Sequence, residues 1–173
     1  MKRKVLISIV AVIIYHSLTG QTTATTYTIE KIDSIVSKID SVARLKHRVF
    51  NLKKQYRGNT YTEKWSYLRD AKYLLYFQVN YTLDSNDYEE EYYLTNGGLI
   101  YATEKEVMRF PSMDPVDSIG WSGVFYFSAH KLLYQRTLGH GKSEMDNWDP
   151  EKEIRVRYSK RRYRRPELLT WSK

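Results

Sequence analysis

Two stretches of this chain, EYYLTNGGLIYA at residues 91–102 and VFYFSAHKLLYQ at residues 124–135, repeat one pattern thirty-three positions apart. Each stretch is an aromatic run, a short turn and a leucine-led run that contains a tyrosine. In the first stretch Asn96-Gly97 is a strong signal for a two-residue type I′ turn, because both residues tolerate a positive φ. The repeat therefore predicts two successive β-hairpins that take equivalent positions in one antiparallel meander.

A two-residue turn also sets the register of its hairpin, because the residues on either side of it must pair in order. In the second stretch the turn residues would be Ala129-His130, a poor type I′ pair, so we expect a longer turn and a looser register there. The predicted cross-strand pairs are Leu94 with Leu99, Tyr92 with Tyr101 and Tyr93 with Ile100 in the first hairpin, and Phe127 with Leu132 and Phe125 with Tyr134 in the second.

The residues before the hairpins show first a helical and then a strand-like period. Between residues 29 and 56 apolar side chains recur every three or four positions, and Gly58 follows as a stop signal, which predicts an amphipathic helix. Over residues 73–83 the period is two, which predicts a strand whose stronger apolar face packs against the core. Residues 59–70 receive no assignment.

A last alternation, over residues 153–158, predicts an edge strand whose arginines would discourage pairing with another sheet. Sequential hairpins without alternating helices argue against a parallel sheet. The sequence thus predicts one α+β domain over residues 21–158, an N-terminal amphipathic helix packed on an antiparallel meander of five or six strands. Residues 159–173 are predicted to form a basic C-terminal tail.

The first twenty residues have the features of a secretory signal peptide. Lys2, Arg3 and Lys4 precede an almost wholly apolar run, and small or polar residues follow it. The apolar run of eleven residues makes about 16 Å of helix, which is short of the roughly 30 Å hydrocarbon core of a membrane. We therefore expect cleavage near Gly20 or Ala24 and a periplasmic or secreted mature protein without a membrane span. A short membrane anchor is the alternative.

The positive charge of the chain is concentrated at its C-terminal end. The whole chain has a net charge of +8, and residues 151–173 contain nine Lys or Arg against three Glu. Basic residues interleaved with tyrosines can bind phosphates while stacking on bases, and they also suit anionic lipid surfaces or an acidic partner. A solvated tail without a partner is the alternative. The candidate basic residues are Arg155, Arg157, Lys160, Arg161, Arg162, Arg164 and Arg165.

The motifs that would indicate an enzyme are incomplete. GHGKS at residues 139–143 lacks the first glycine of a phosphate loop, because Arg136 occupies its position, so no nucleotide is expected. The chain has no cysteine and its histidines lack ligand spacing, so we predict neither a metal site nor another cofactor. The glutamates at residues 89–91 alternate between the sides of a strand and cannot converge as an acid/base pair. We assign no catalytic residue and favour a protein that is not an enzyme.

The weaker apolar face of the predicted sheet carries the candidate binding residues, Tyr76, Tyr93, Ile100, Tyr126 and Leu133. A solvated sheet face is normally polar, and an exposed aromatic patch usually marks a contact surface. We therefore expect a small exported binding protein of a bacterial envelope, whose partner is a protein or an envelope polymer. For this patch the alternative is cover by a loop or by the C-terminal segment.

Two other functions stay open. One is a small envelope-modifying hydrolase whose acidic residues the sequence does not place. The other is binding of anionic surfaces or nucleic acid through the basic tail. A cluster of acidic side chains in a deep cleft would favour the hydrolase, whereas a flat aromatic face would favour binding.

Overall fold

The computed structural model describes residues 26–110 and 118–163. The predicted signal segment, its cleavage sites at Gly20 and Ala24, and Arg164 and Arg165 of the basic segment lie outside the described residues. Export and the cleavage site therefore stay predictions. Within the described ranges the chain forms one sheet with a helix against each face.

The sheet is a meander of seven strands in sequence order, and every neighbouring pair is antiparallel. The predicted α+β class and antiparallel sheet are confirmed, with seven strands instead of five or six. The elements are α1 (Ile29–Lys46), β1 (Arg48–Tyr56), β2 (Asn59–Arg69), β3 (Leu74–Leu83), β4 (Asn86–Thr95), β5 (Gly98–Arg109), β6 (Ser118–Ser128), β7 (Lys131–Gly139), a short 3₁₀ turn (Lys142–Glu144) and α2 (Pro150–Tyr163).

Two strands come from residues that the sequence did not identify as strands. β1 occupies the second half of the predicted helix, and β2 occupies the unassigned stretch. α1 ends at Lys46, where His47 takes an extended backbone conformation with φ −70° and ψ 149°. Beyond it Phe50 and Leu52 point inward between exposed neighbours. This period of two is concealed in the sequence, because the apolar residues of β1 also fit a helical spacing.

Two-residue turns with a positive φ at both positions close four of the hairpins, at Arg57-Gly58, Asp84-Ser85, Asn96-Gly97 and Ala129-His130. The longer turn predicted at Ala129-His130 is wrong, since Ala129 has φ 49° and His130 has φ 67°. Histidine enters this region more readily than most residues, and the paired strands on both sides hold the alanine in it.

The two repeated hairpins share a β-bulge as well as a turn. The pairs next to each turn form as predicted, and one step further the register shifts by one residue. The shift leaves one extra residue in the second strand of each hairpin, Ile100 in the first and Leu133 in the second. The observed pairs are Leu94 with Leu99, Tyr93 with Tyr101, Phe127 with Leu132 and Tyr126 with Tyr134, so the predicted pairs Tyr92 with Tyr101, Tyr93 with Ile100 and Phe125 with Tyr134 are wrong.

α1 lies on the opposite face of the sheet from the one predicted. Its buried residues Ile32, Ile39 and Ala43 pack in one cluster with Tyr76 and Tyr93 of the weaker apolar face. The sequence predicts only one helix, so that helix is expected to cover the more apolar face of the sheet. A second helix, α2, covers that face instead, and α1 is left to cover the other.

α2 contains residues 153–158, so the prediction of a last strand there is wrong. Pro150 is its first residue, a position that suits a residue without an N–H group. Ile154 and Tyr158, four positions apart, are buried, whereas Val156 between them is 44% exposed. The apolar residues therefore serve one face of a helix, although they also alternate. α2 continues across the predicted domain boundary at residue 158.

One apolar cluster lies on each face of the sheet. Aromatic side chains of adjacent strands stack within them, such as Phe77 and Tyr92 with ring centroids 4.7 Å apart. The buried members of the cluster between α2 and the sheet are Trp65, Leu74, Phe77, Val79, Tyr92, Leu94, Ala102, Trp121, Phe125, Phe127, Ile154 and Tyr158. The buried members of the cluster between α1 and the sheet are Ile32, Ile39, Ala43, Leu68, Tyr76, Tyr93 and Ile100. The sheet is thus the middle layer of three.

Candidate functional site

Three of the five predicted binding residues lie in the core beneath α1. Tyr76 is 7% exposed, Tyr93 is 5% and Ile100 is 3%. Tyr126 is half-buried at the margin of the same cluster, and Leu133 is 47% exposed on the outermost strand. The cover for the aromatic face is therefore α1, and of the predicted set Tyr126 and Leu133 reach a surface.

Tyrosine hydroxyls of the sheet connect this face to α1. The Tyr93 hydroxyl donates a hydrogen bond to Asp40 Oδ1 and the Tyr126 hydroxyl donates one to Asp33 Oδ1, each at 2.8 Å. Burial, together with the hydrogen bond to Asp33, raises the pKa of Tyr126 to about 12, and burial also raises the pKa of Tyr93. Both phenols therefore remain protonated donors at neutral pH.

Glu91 is a half-buried carboxylate on the same face. It accepts hydrogen bonds from the Tyr76 hydroxyl at 3.0 Å and from the Thr103 hydroxyl at 2.9 Å. Burial raises the pKa of Glu91, and the two hydrogen bonds oppose this rise only in part. With Asp40 and His47 it lines a cleft of about 380 Å³ at the C-terminal end of α1. Glu91 and Asp40 are the carboxylates that come nearest to the acidic cleft that the hydrolase alternative requires. Both accept hydrogen bonds from tyrosine hydroxyls that stabilise the fold.

β7 forms one edge of the sheet and pairs only with β6 within the described residues. It exposes the apolar side chains of Leu133, Tyr134 and Leu138, at 47%, 46% and 76%. Its charged residues, Lys131 and Arg136, are both basic. At the start of β7 the Leu132 N–H already donates to Glu151 Oε2 at 3.0 Å. Beyond Leu132, β7 presents an apolar and basic edge to which another strand can pair.

Three glutamates are buried on the opposite face, beneath α2. Glu63 is 0% exposed, Glu90 is 2% and Glu104 is 3%. Glu90 and Glu104 pair directly across β4 and β5. Two like charges in this position destabilise a sheet, so the arrangement requires nearby cations.

Two arginines of α2, four positions apart, supply these cations. Arg161 binds both oxygens of Glu90, through Nε at 2.9 Å and Nη2 at 2.8 Å, and its Nη1 lies 2.5 Å from Glu63 Oε1. Arg157 Nη1 lies 2.6 Å from Glu104 Oε1. Because paired contacts between a guanidinium and a carboxylate are strong and directional, these contacts fix the position of α2 on the sheet.

The two facing glutamates differ in their pKa. Burial opposes the ionisation of Glu90, but hydrogen bonds and charge attraction from Arg161 outweigh burial and lower its pKa. For Glu104 burial is the stronger effect and raises the pKa, although Arg157 and Lys142, whose Nζ is 3.1 Å from Oε2, favour the charged form. Of these two facing glutamates, Glu90 therefore holds its charge more firmly.

Most of the predicted basic segment that the structure describes is built into the fold. Its members bind buried carboxylates, a backbone carbonyl or a surface carboxylate, and one lysine is exposed. Arg157 and Arg161 bind buried glutamates, Arg162 donates to the Gly97 carbonyl, Arg155 lies 3.5 Å from Glu151, and Lys160 is exposed. In the sequence, the signal for this structural role is the concentration of positive charge at one end of the chain.

The described residues contain no group of three His, Cys, Asp or Glu side chains placed to hold a metal ion. No helix within 26–110 and 118–163 is both long and apolar enough to cross a membrane. Comparison with models of protein families, with characterised proteins and with solved structures finds no match. The features that bear on function are therefore the edges and clefts of the molecule itself.

Proposed function

We propose that this protein is an exported, non-enzymatic binding protein of a bacterial envelope, and that it binds an extended segment of a partner protein along the edge of β7. The supporting observation is that equivalent residues of the two repeated hairpins differ in how far they are exposed. Ile100 is 3% exposed, whereas Leu133, the corresponding bulge residue, is 47% exposed. A strand added beside β7 would bury Leu133 and Tyr134, and it would extend the sheet in the direction in which the meander already runs.

The charge of β7 favours a partner that differs from this chain. Lys131 and Arg136 are its charged residues. A second copy of β7 would bring the basic side chains of both strands together, and like charges facing each other destabilise a strand pair. An extended segment with acidic residues between apolar ones would pair with Lys131 and Arg136 and also cover Leu133. We therefore assign the partner to this chemical class.

Substitutions at exposed positions test this edge without disturbing the core. The double variant Leu133→Glu, Leu138→Glu removes the apolar contact and places negative charge opposite the acidic residues of the partner. Because both positions are already exposed, its free energy of unfolding should stay within about 0.5 kcal/mol of the wild type. Wild type and variant are immobilised and incubated with envelope extract of the source organism, and retained proteins are quantified by mass spectrometry. We expect a partner that the variant retains about tenfold less, a loss of about 1.4 kcal/mol in binding.

Val49→Glu provides the control, because Val49 is 49% exposed on β1 at the other edge of the sheet. This variant should retain the partner as the wild type does. In the complex, hydrogen exchange should show new protection of amides in β7. Equal retention by the Leu133→Glu, Leu138→Glu variant, or protection that spares β7, would contradict the proposal.

Export is tested separately by mass measurement. The full-length chain is expressed in a bacterium, and the protein is recovered from the periplasm and the medium. Its mass should correspond to a chain that begins at residue 21 or residue 25. An uncleaved chain confined to the cytoplasm would contradict export and leave the binding experiment unaffected.

A further inference from the structure

A charged cleft lies beside α2, on the face of the sheet away from α1. It has a volume of about 800 Å³, within the range of small-molecule sites, and is formed by β1, β3, the segment before α2 and the outer side of α2. Its floor includes Arg161 and Glu90, which bind each other. The residues around its margin are Asn147, Asp149, Lys152, Glu153, Val156 and Lys160.

Two lysines at the margin are available to a ligand. Lys152 and Lys160 are exposed, and neither forms an ion pair within the part of the chain that the structure describes. They are eight positions apart on α2, which is about 12 Å along the helix axis. Two separated ammonium groups on one wall suit a ligand that carries more than one negative group along its length.

The same margin also carries hydrogen-bond acceptors. Asp149 Oδ1 accepts the Lys152 N–H at 3.0 Å, and Glu153 Oε2 lies 3.7 Å from Arg157 Nη2, so each carboxylate retains further acceptor capacity. Carboxylates repel a densely charged polyphosphate more than a ligand with widely spaced negative groups, and they accept hydrogen bonds from hydroxyl groups. Asn147 adds an amide that both donates and accepts. The cleft therefore suits a ligand that combines negative groups with hydroxyls.

An apolar surface completes the margin. Val156 lies on α2 midway between the two lysines and is 44% exposed. It offers contact to C–H groups between the charged ends of a ligand. A chain of sugar rings has carboxylates, hydroxyls and C–H faces in alternation, and this is the combination that the lining residues can recognise.

We propose that this cleft binds a short acidic oligosaccharide of the uronic acid class. Its carboxylates bind Lys152 and Lys160, its hydroxyls donate to Asp149 and Glu153, and its ring faces contact Val156. Among the described residues, the lining of this cleft includes none of β7.

Calorimetric titration of the purified protein at low ionic strength tests the proposal with three compounds. Trigalacturonate is the acidic trisaccharide, galactotriose is a neutral trisaccharide, and tripolyphosphate supplies negative charge without sugar hydroxyls. We expect trigalacturonate to bind and the other two to bind at least about tenfold more weakly, because each lacks one of the two sets of contacts. Raising the salt concentration should weaken the binding of trigalacturonate.

Variants locate the site. Lys152→Gln with Lys160→Gln should reduce the affinity for trigalacturonate by about tenfold, since each exposed charge contact contributes roughly a two- to fivefold effect. Lys31→Gln with Lys38→Gln makes the same charge change at exposed positions of α1 and should leave the affinity unchanged. The Leu133→Glu, Leu138→Glu variant should also bind trigalacturonate normally, which separates this site from the β7 edge. Absent binding, equal binding of galactotriose, tighter binding of tripolyphosphate, or unchanged affinity of the Lys152→Gln, Lys160→Gln variant would overturn the proposal.

Discussion

The two faces of the sheet are joined to their helices by different polar chemistry. On the α1 face neutral tyrosine hydroxyls donate to carboxylates, as Tyr93 does to Asp40 at 2.8 Å. On the α2 face arginines bind buried glutamates, as Arg161 does with Glu90 at 2.9 and 2.8 Å. Loss of a hydroxyl on the first face removes one hydrogen bond. Loss of an arginine on the second leaves a charge buried without a partner, which is a far larger penalty.

Adjacent residues of β4 show this difference on the smallest scale. Tyr92 points to α2, is fully buried, and donates to Glu90 Oε2 at 3.1 Å. Tyr93 points to α1 and donates to Asp40, which is only half-buried and can be hydrated if that bond is lost. The two side chains are chemically identical and differ in whether water can replace their hydrogen bond.

The largest effect is expected from Arg161→Met. Methionine keeps much of the apolar stem but leaves Glu63 and Glu90 without their principal cation, so the free energy of unfolding should fall by about 3–5 kcal/mol at neutral pH. Urea unfolding followed by circular dichroism measures the loss. Lys160→Met, one position earlier and exposed, is the control and should change stability by no more than about 0.5 kcal/mol.

Acid should narrow the gap between Arg161→Met and the wild type. In the wild type the pKa of Glu90 is lowered from its ordinary value of 4.5, so its stabilising contribution is present above that value and is lost as the pH falls. In the variant, protonation instead removes an unpaired buried charge. A gap that stays constant between neutral pH and about pH 4 would show that packing, and not charge, accounts for the loss.

A medium effect is expected from removing single hydroxyls of the adjacent tyrosines. Tyr92→Phe should cost about 1.5–3 kcal/mol, because its hydroxyl donates to a buried charged group, and Tyr93→Phe should cost about 0.5–1.5 kcal/mol. Unfolding in urea under one set of conditions compares them directly. Equal losses would mean that the two faces do not differ in the way described.

The smallest effect is expected from Glu91→Gln, and its pH dependence has the opposite sign to that of Glu90. The pKa of Glu91 is raised above its ordinary value of 4.5. Its stabilising contribution is therefore present below that value and is lost as the pH rises through the folded-state pKa. We expect Glu91→Gln to gain on the wild type as the pH rises from 4 to 8, whereas Glu90→Gln should fall further behind. A pH series of unfolding curves measures both, and the same trend for both variants would contradict this assignment.

The sequence predicts the strands best where turns and alternation occur together. Asn96-Gly97 correctly places the hairpin of β4 and β5, and its repeat places that of β6 and β7. The bulges are not predictable from the same pattern. In β5 the bulge places Ile100 and Tyr101 on the α1 face together, and two consecutive apolar residues give no sign in the sequence of this break in alternation. Both hairpins therefore have the predicted first pair and a shifted second one.

The choice of covered face depends on an element that the alternation conceals. Ile154, Val156 and Tyr158 alternate as a strand would, although Asp149, Pro150 and the acidic first turn are the signals of a helix start. Without α2, the stronger apolar face has only α1 to cover it. The placement of Tyr93 on a binding surface follows from that one missing helix.

The buried carboxylate cluster is also hidden from a pattern that runs along the chain. Glu63, Glu90 and Glu104 lie on three different strands and meet only through the arrangement of the sheet and the arginines of α2. The sequence does predict correctly that the consecutive glutamates at residues 89–91 alternate between the two sides of their strand. The charges that matter to Glu90 are across the sheet at Glu104 and far along the chain at Arg161.

The order in which the chain is synthesised gives α2 a particular part in folding. All seven strands leave the ribosome before it, and each pairs with its sequence neighbour, so the sheet can form from local contacts. Until α2 emerges, Glu63, Glu90 and Glu104 can remain hydrated and repel one another. α2 therefore replaces this hydration with the contacts of Arg157 and Arg161, and a nascent chain without α2 would present a hydrated, negatively charged face.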